Sequence, residues 1–237
     1  MKAMILAAGM GTRLGTLTAE KPKALVEVNG RTLLEHVVEN LKSFGVKEII
    51  INVHHFGGQI IDFLKQKSFF DIRIEISDES DALLDTGGGL MKASYFFDDG
   101  KPFLVHNVDV LSHIDLHKLE IYHTHIRSLA TLVVKHRETS RYFLVDKYQM
   151  LCGWKNKKTG EKMVVRYGEK LTEAAFSGIQ MLSPEIFRLC NKKGAFSLTE
   201  MYLDLAAENK IVAYNDGSLW FDLGKPENIT EAAKHFV

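Results

Sequence analysis

The chain of 237 residues sets 30 lysines and arginines against 30 aspartates and glutamates, so its formal net charge is zero and it has no basic surplus for a nucleic-acid face. Its hydrophobic content of 46% suits a globular α/β protein, and no stretch approaches the roughly 20 unbroken apolar residues of a membrane span, nor does the opening run make a secretory core. Two cysteines without CxxC spacing, Cys152 and Cys190, exclude a disulfide framework or a zinc knuckle and point to reduced thiols in a cytoplasmic protein.

The first strand-like run, "AMILAA" (3–8), passes into "LAAGMGTRLG" (6–15), where glycines and an arginine stand between a strand and whatever follows. Glycines at a strand end let the backbone approach a ligand and aim N–H groups at phosphate oxygens, although an ordinary β-α turn uses them too. Five positions after Gly9 comes Leu14, which breaks both the Walker A and the G-x-G-x-x-G patterns. The second strand ends "INVHH" with no acidic residue for a ribose, so a nicotinamide dehydrogenase is disfavoured. Lys21 and Lys23 flank Pro22, which fixes an extended backbone and offers two compact charges to phosphates, or else a solvated surface pair.

The spacing of Leu33, Leu34, Val37, Val38, Leu41 and Phe44 predicts a helix over 33–44, opened by a Thr32/Glu35 capping-box pair and stopped at Gly45. "EIIINV" (48–53), a helix over 59–64 and "IRIEI" (72–76) continue the alternation, the signature of a parallel sheet covered by helices. In "LLDTGGGLMKA" (83–93) three glycines precede a helical pattern, either as a hinge or with N–H and C=O groups exposed to the edge of a flat ligand. "PFLVHNV" (102–108) then runs into Asp109, followed by a helical pattern over 115–127 and a strand "LATLVV" (129–134). His113, His117, His123 and His125 have no Glu or Cys to complete a metal set and read as surface or capping residues.

From 136 to 171 the chain is charged, with short alternating strands and an "NKKTG" turn signal, and reads as an antiparallel excursion out of the main sheet. It returns through "FSGIQML" (176–182), a Ser183-Pro184 helix start, a Ser197/Glu200 capping box, a last strand "SLWFDLG" (218–224) and a helix from about Pro226. No internal repeat appears, and the tail lacks the hexapeptide repeat of a β-helix. Asp109 and Asp222 each end a strand; such carboxylates face the crevice where α/β sheets bind ligands and as a pair can hold Mg²⁺ beside a polyphosphate, although Asp is also a turn former.

Together "LAAGMGTRLGTLTAEKPKAL", "LLDTGGGL", "VHNVD", "FSGIQMLSPEIF" and "WFDLGKPE" resemble the sugar-1-phosphate nucleotidyltransferases, in their order and over nearly the whole chain. The "TGGG" form is most similar to the N-acetylmuramate-1-phosphate uridylyltransferase branch, with mannose-1-phosphate guanylyltransferases as near relatives. The resemblance implies a Rossmann-like three-layer α/β fold with a mixed, mainly parallel sheet. It implies one domain over 1–237, with a nucleotide-binding core at about 1–135 and 172–237 and an acceptor-side insertion at about 136–171. It implies Mg²⁺-dependent transfer of a nucleotidyl group from a nucleoside triphosphate, UTP before GTP, to a sugar 1-phosphate, with no nucleic-acid or membrane partner. By the same resemblance Leu6, Ala7, Ala8, Gly9, Gly11, Thr12, Arg13 and Gly88 would bind the nucleotide, and Arg13, Lys23 and Asp109 would be catalytic. Asp109 and Asp222 would hold Mg²⁺, and Gly178 and Glu169 would touch the sugar.

The chain departs from the family pattern at Thr16 and Ala24, both prolines in the usual motif, at "GEKL", which lacks the proline after Glu169-Lys170, and at Val108, where a glycine is usual. Two other readings stand beside this one: a cytidylyltransferase for an alcohol phosphate such as phosphocholine, decided by the 136–171 region, and a non-catalytic nucleotide-sugar-binding regulatory protein. The presence of Arg13, Lys23, Asp109 and Asp222 weighs against the latter.

Overall fold

The structure is a computed structural model and describes residues 1–236. Strand β1 (Lys2–Leu6) is buried along its whole length. After the short hairpin of β2 (Glu27–Val28) and β3 (Arg31–Thr32) come α1 (Leu33–Ser43), β4 (Glu48–Val53), α2 (Gly57–Gln66), β5 (Arg73–Asp78) and α3 (Asp85–Lys92). Strand β6 (Phe103–Asn107) is followed by β7 (Val110–Ser112), α4 (Leu116–Ile126), β8 (Ala130–Lys135), β9 (Arg141–Val145), β10 (Leu151–Asn156) and β11 (Lys162–Val164). The chain closes with β12 (Thr172–Leu182), α5 (Glu185–Leu189), α6 (Leu198–Ala206), β13 (Ile211–Tyr214), β14 (Trp220–Asp222) and α7 (Pro226–Ala232).

Ten strands form one mixed sheet in the order β11-β10-β9-β12-β6-β1-β4-β5, with β8 also on β12 and β13 beyond it. Strands β6, β1, β4 and β5 run parallel. Because side chains alternate across a strand, Ala3 and Ile5 of β1 enter one core with Leu34, Val38, Leu64 and Leu119 of α1, α2 and α4, while Met4 enters another with Leu90, Ile186 and Tyr202 of α3, α5 and α6. The result is the three-layer arrangement expected.

Region 136–171 is antiparallel, as expected, but it stays joined to the main sheet through β12. Strand β12 has 11 residues, enough to pair antiparallel with β6 through 179–182 and with β9 through 172–174, so β9, β10 and β11 extend the same sheet outward. The last strand is shorter than expected, and β14 pairs only with β7, in a separate ribbon.

At the start of α1 the Thr32 hydroxyl accepts the Glu35 N–H at 3.1 Å, but the Glu35 carboxylate turns to Lys67 at 3.0 Å, so only half of the capping box forms. At α6 both halves form: Ser197 Oγ accepts from the Glu200 N–H at 3.2 Å, and the Glu200 carboxylate accepts from the Ser197 N–H at 2.7 Å. His123 is not a surface residue. It is buried in α4 with its ring nitrogens 2.9 Å from the Thr131 hydroxyl and 3.0 Å from that of Ser183. Among the described residues no helix is long and apolar enough to cross a membrane.

Candidate functional site

The C-terminal ends of β1, β4 and β6 open on a cavity of about 480 Å³, at the edge where parallel sheets bind ligands. Its wall includes Leu6, Ala7, Ala8, Gly9, Gly11, Thr12 and Arg13 from the loop after β1, together with Lys23 and Asp109. The loop is fixed from below: the Ala7 N–H donates to Asn52 Oδ1 at 2.8 Å, and Asn52 Nδ2 donates to Glu79 Oε1 at 2.8 Å. The fully buried Glu79 carboxylate also accepts the Leu84 N–H at 3.1 Å, so β1, β4 and the approach to α3 share one polar anchor. Gly11 adopts φ +67°, and a Cβ there would lie 3.2 Å from Cβ of Lys23, so the loop turns back onto the lysine.

Pro22 holds an extended backbone, and the 3-10 turn Lys23–Leu25 follows it. That turn buries Lys23, whose ammonium donates to the Asp109 carboxylate, while Lys21 does not reach the cavity. Asp109 follows β6, and its C=O accepts the Leu223 N–H at 2.8 Å, which sets Asp222 at the neighbouring strand end. Arg13, 61% exposed, brings Nη1 to 4.0 Å from Asp222 Oδ2. Gly224 makes this approach possible, because a Cβ there would stand 2.6 Å from Arg13 Nη2 and 2.8 Å from Asp222 Oδ1.

The carboxylates fall in two ion pairs, Lys23 with Asp109 in the cavity wall and Asp222 with Arg13, whose side chain lines the cavity. Among the described residues no cluster of three or more His, Cys, Asp or Glu could hold a metal ion. A hard divalent cation that keeps most of its coordination for phosphate and water needs one or two protein carboxylates, which is the donor set that Asp109 and Asp222 present. Next to them, His106 in β6 is buried with Nδ1 2.8 Å from the Asn107 carbonyl, and burial pushes its pKa down to about 4, so the ring is neutral.

Besides Asp222, which touches Arg13 without lining the cavity, three expected residues lie outside its wall. Glycines 87–89 do not precede a helix but lie inside α3, buried, with the N–H groups of Gly87 and Gly88 donating to the Phe196 carbonyl at 2.9 and 3.2 Å. Gly88 therefore has no free N–H for a ligand; it is a glycine because a Cβ would run into the Gly194 carbonyl, and Leu83, Asp85, Thr86 and Ala195 face the cavity instead. Gly178, at φ +82° in β12, packs where a Cβ would be 2.9 Å from Asn107 Nδ2. Glu169 is 58% exposed and bonds to Lys147 at 2.8 Å, away from the cavity.

Sequence reasoning passed over Asn52, whose signal was a polar residue closing an apolar run, and Asn107, which also lines the cavity. Val108 lines it too, and its N–H donates to the Leu6 carbonyl at 3.1 Å, which extends the β1–β6 ladder by one bond.

Residues 2–237 match the family model described as nucleotidyl transferase. The chain is 30% identical over 238 residues to the N-acetylmuramate alpha-1-phosphate uridylyltransferase of Caulobacter vibrioides, covering 95% of this chain and 92% of that protein. It is 32% identical over 238 residues to the probable mannose-1-phosphate guanylyltransferase 1 of Oryza sativa, covering 96% of this chain but spanning only 62% of the rice protein. Among solved structures, HddC from Yersinia pseudotuberculosis complexed with GMP-PN superposes with a TM-score of 0.77 at 24% identity, covering 100% of this chain and 99% of that one. A UDP-glucose pyrophosphorylase complexed with UDP-glucose gives 0.75 at 16% identity, covering 98% and 97%. At such identities the structural likeness concerns the fold.

Proposed function

The chain belongs to the nucleotidyl transferase family, and on that premise we propose that it transfers a nucleotidyl group from a nucleoside triphosphate to a sugar 1-phosphate, with UTP favoured and GTP next. The observation that carries this reading is the gathering of Arg13, Lys23 and Asp109 in one cavity wall beside a glycine-bearing loop, with Asp222 4.0 Å from Arg13. In the reaction an oxygen of the acceptor phosphate bonds to the α-phosphorus while the bond from that phosphorus to the β-phosphate bridging oxygen breaks. The bonding pair leaves with pyrophosphate. The nucleophile is already an anion, so no general base is required, and the protein supplies alignment and charge.

In this reading the loop Ala7–Gly11 cradles the triphosphate with its backbone, and Arg13 neutralises the departing phosphates. Lys23 leaves the Asp109 carboxylate to hold the phosphates of the reacting pair. Asp109 and Asp222 would hold Mg²⁺, which when bound withdraws charge from the α-phosphate. Leu6, Ala7 and Ala8 offer an apolar wall to the nucleoside. The test is pyrophosphate release with Mg²⁺ across UTP, GTP, CTP and dTTP against N-acetylmuramate, mannose, glucose and N-acetylglucosamine 1-phosphates and phosphocholine. One strongly preferred sugar 1-phosphate pair is the expected result; turnover of phosphocholine alone, or of no pair at all, refutes the assignment.

A further inference from the structure

Arg137, in the segment between β8 and β9, extends over the ring of Trp220 with its guanidinium carbon 4.7 Å from the ring centroid. One end is anchored by Nη2 donating to the Phe176 carbonyl at 3.1 Å, and Trp220 Nε1 donates to the next carbonyl, Ser177, at 2.8 Å. Both anchors fall where the register of β12 against β8 shifts between Phe176 and Gln180. Two polar atoms on this ledge are buried without a hydrogen-bond partner: Nε of Arg137 and Oγ of Ser177. Arg137 makes no ion pair with any carboxylate among the described residues. Burial holds its pKa below the usual arginine value, while Asp222 acts to raise it and Arg13 to lower it.

A partly buried guanidinium without a counter-charge is costly unless something outside the chain supplies one. Trp220 and Asp222 lie two residues apart on β14 and so share a face, about 7 Å apart along the strand. Arg137, stacked on Trp220, thus stands close enough to Asp222 and Arg13 to feel both charges.

We propose that Arg137, clamped between Trp220 and the Phe176 carbonyl, binds the phosphate of the sugar 1-phosphate acceptor and so selects phosphorylated over free sugars. This rests on the transfer reaction proposed above. Arg13 serves the nucleotide phosphates, and Arg137 presents the acceptor's phosphate beside them. A guanidinium fixed at one edge and over one face keeps its other donors in a planar fork that fits two phosphate oxygens.

Trp220 reports on the site directly. With Trp154→Phe it becomes the sole tryptophan, and its emission is titrated with mannose 1-phosphate, inorganic phosphate and free mannose, with and without a non-hydrolysable nucleoside triphosphate analogue. The expected result is a saturable change with both phosphates and none with mannose. Arg137→Ala weakens that binding at least tenfold and Arg137→Lys by less, with nucleotide affinity within twofold of the parent. No saturable change in the parent, or equal affinity in a folded Arg137→Ala or Arg137→Lys protein, overturns the proposal. Phosphate binding lost on Arg137→Ala without pyrophosphate release from any pair would instead refute the transfer reaction and leave Arg137 as an anion site.

Discussion

The ammonium of Lys23 lies against the carboxylate of Asp109 across 86 residues of chain, and both groups are largely withdrawn from water. Removing one partner leaves the other charge largely buried and unpaired, which costs about 2 kcal/mol, less than the full penalty of a completely buried pair. Lys23→Met should therefore lower Tm by roughly 4–8 °C, and adding Asp109→Asn should recover most of that loss. Neither variant should turn over. Calorimetry beside pyrophosphate release separates the two effects, and a fully stable, active Lys23→Met protein would remove the pair from both roles.

Arg13 is exposed, so its loss should cost function rather than fold. Arg13→Ala and Asp109→Ala should each reduce turnover by about a hundredfold or more, and Arg13→Ala should stay within about 2 °C of the parent Tm. Chelation should silence the parent and added Mg²⁺ restore it. An active, folded Asp109→Ala protein would end the case for a metal at that carboxylate.

Two glycine substitutions should behave oppositely. At Gly224 the new methyl meets the end of the Arg13 side chain, which can swing away, so Gly224→Ala should keep its Tm while losing about tenfold in turnover. At Gly88 the methyl meets the Gly194 carbonyl, which is backbone, so Gly88→Ala should unfold several degrees earlier. Thermal denaturation and initial rates on both proteins decide the matter.

Asn52→Ala strips the Ala7 N–H and the Glu79 carboxylate of a shared partner, both in a buried setting. The cost should be about 2 kcal/mol, the penalty for an unsatisfied buried group, and the loosened loop should raise KM for the nucleotide more than KM for the acceptor. Equal changes in the two constants would show that Asn52 supports the fold without shaping the loop.

Burial pushes His123 down to about 4 from its ordinary value of 6.5, so the native state keeps the ring neutral where the unfolded chain would protonate it. Its contribution is fully present above pH 6.5 and is lost as pH falls toward 4, amounting to about 3 kcal/mol at the lower end. The urea midpoint should fall across that window, and His123→Asn should flatten the fall. An unchanged pH slope in the variant would place the acid sensitivity in other groups.

The parallel half of the fold was legible because each strand is a short apolar run ended by turn residues and each helix carries an apolar stripe, as in 33–44. The loop bearing Gly9 and the position of Asp109 followed from the same pattern, since β1 and β6 are parallel and present their C-terminal ends to one crevice. Asp222 did not, because β14 runs antiparallel to β7 in a separate ribbon and is brought there by the Leu223 N–H bond to the Asp109 carbonyl. What failed depended on contacts between distant segments. Glycines 87–89 have poor helix propensity, yet they sit in α3 because residues 194–196, Asn52 and Glu79 press too closely for any side chain. Glu35 left its capping partner for Lys67, 32 residues away. Arg137 meets Trp220 only because β12 brings Phe176 and Ser177 beneath both, and no local pattern encodes that meeting.

Strand β12 is hydrogen-bonded to β6 at one end and to β9 at the other, and this constrains how the protein can be recombined. A chimera that exchanged 136–171 with a relative would graft a foreign edge onto a native strand and mismatch the ladder at Thr172, Glu173 and Ala174. Crossover points at Lys135 and Ala174 would carry the β9-paired end of β12 along with the hairpins and leave residues 175–182 native against β6 and β8, so that 136–174, rather than the insertion alone, is the smallest exchangeable cassette.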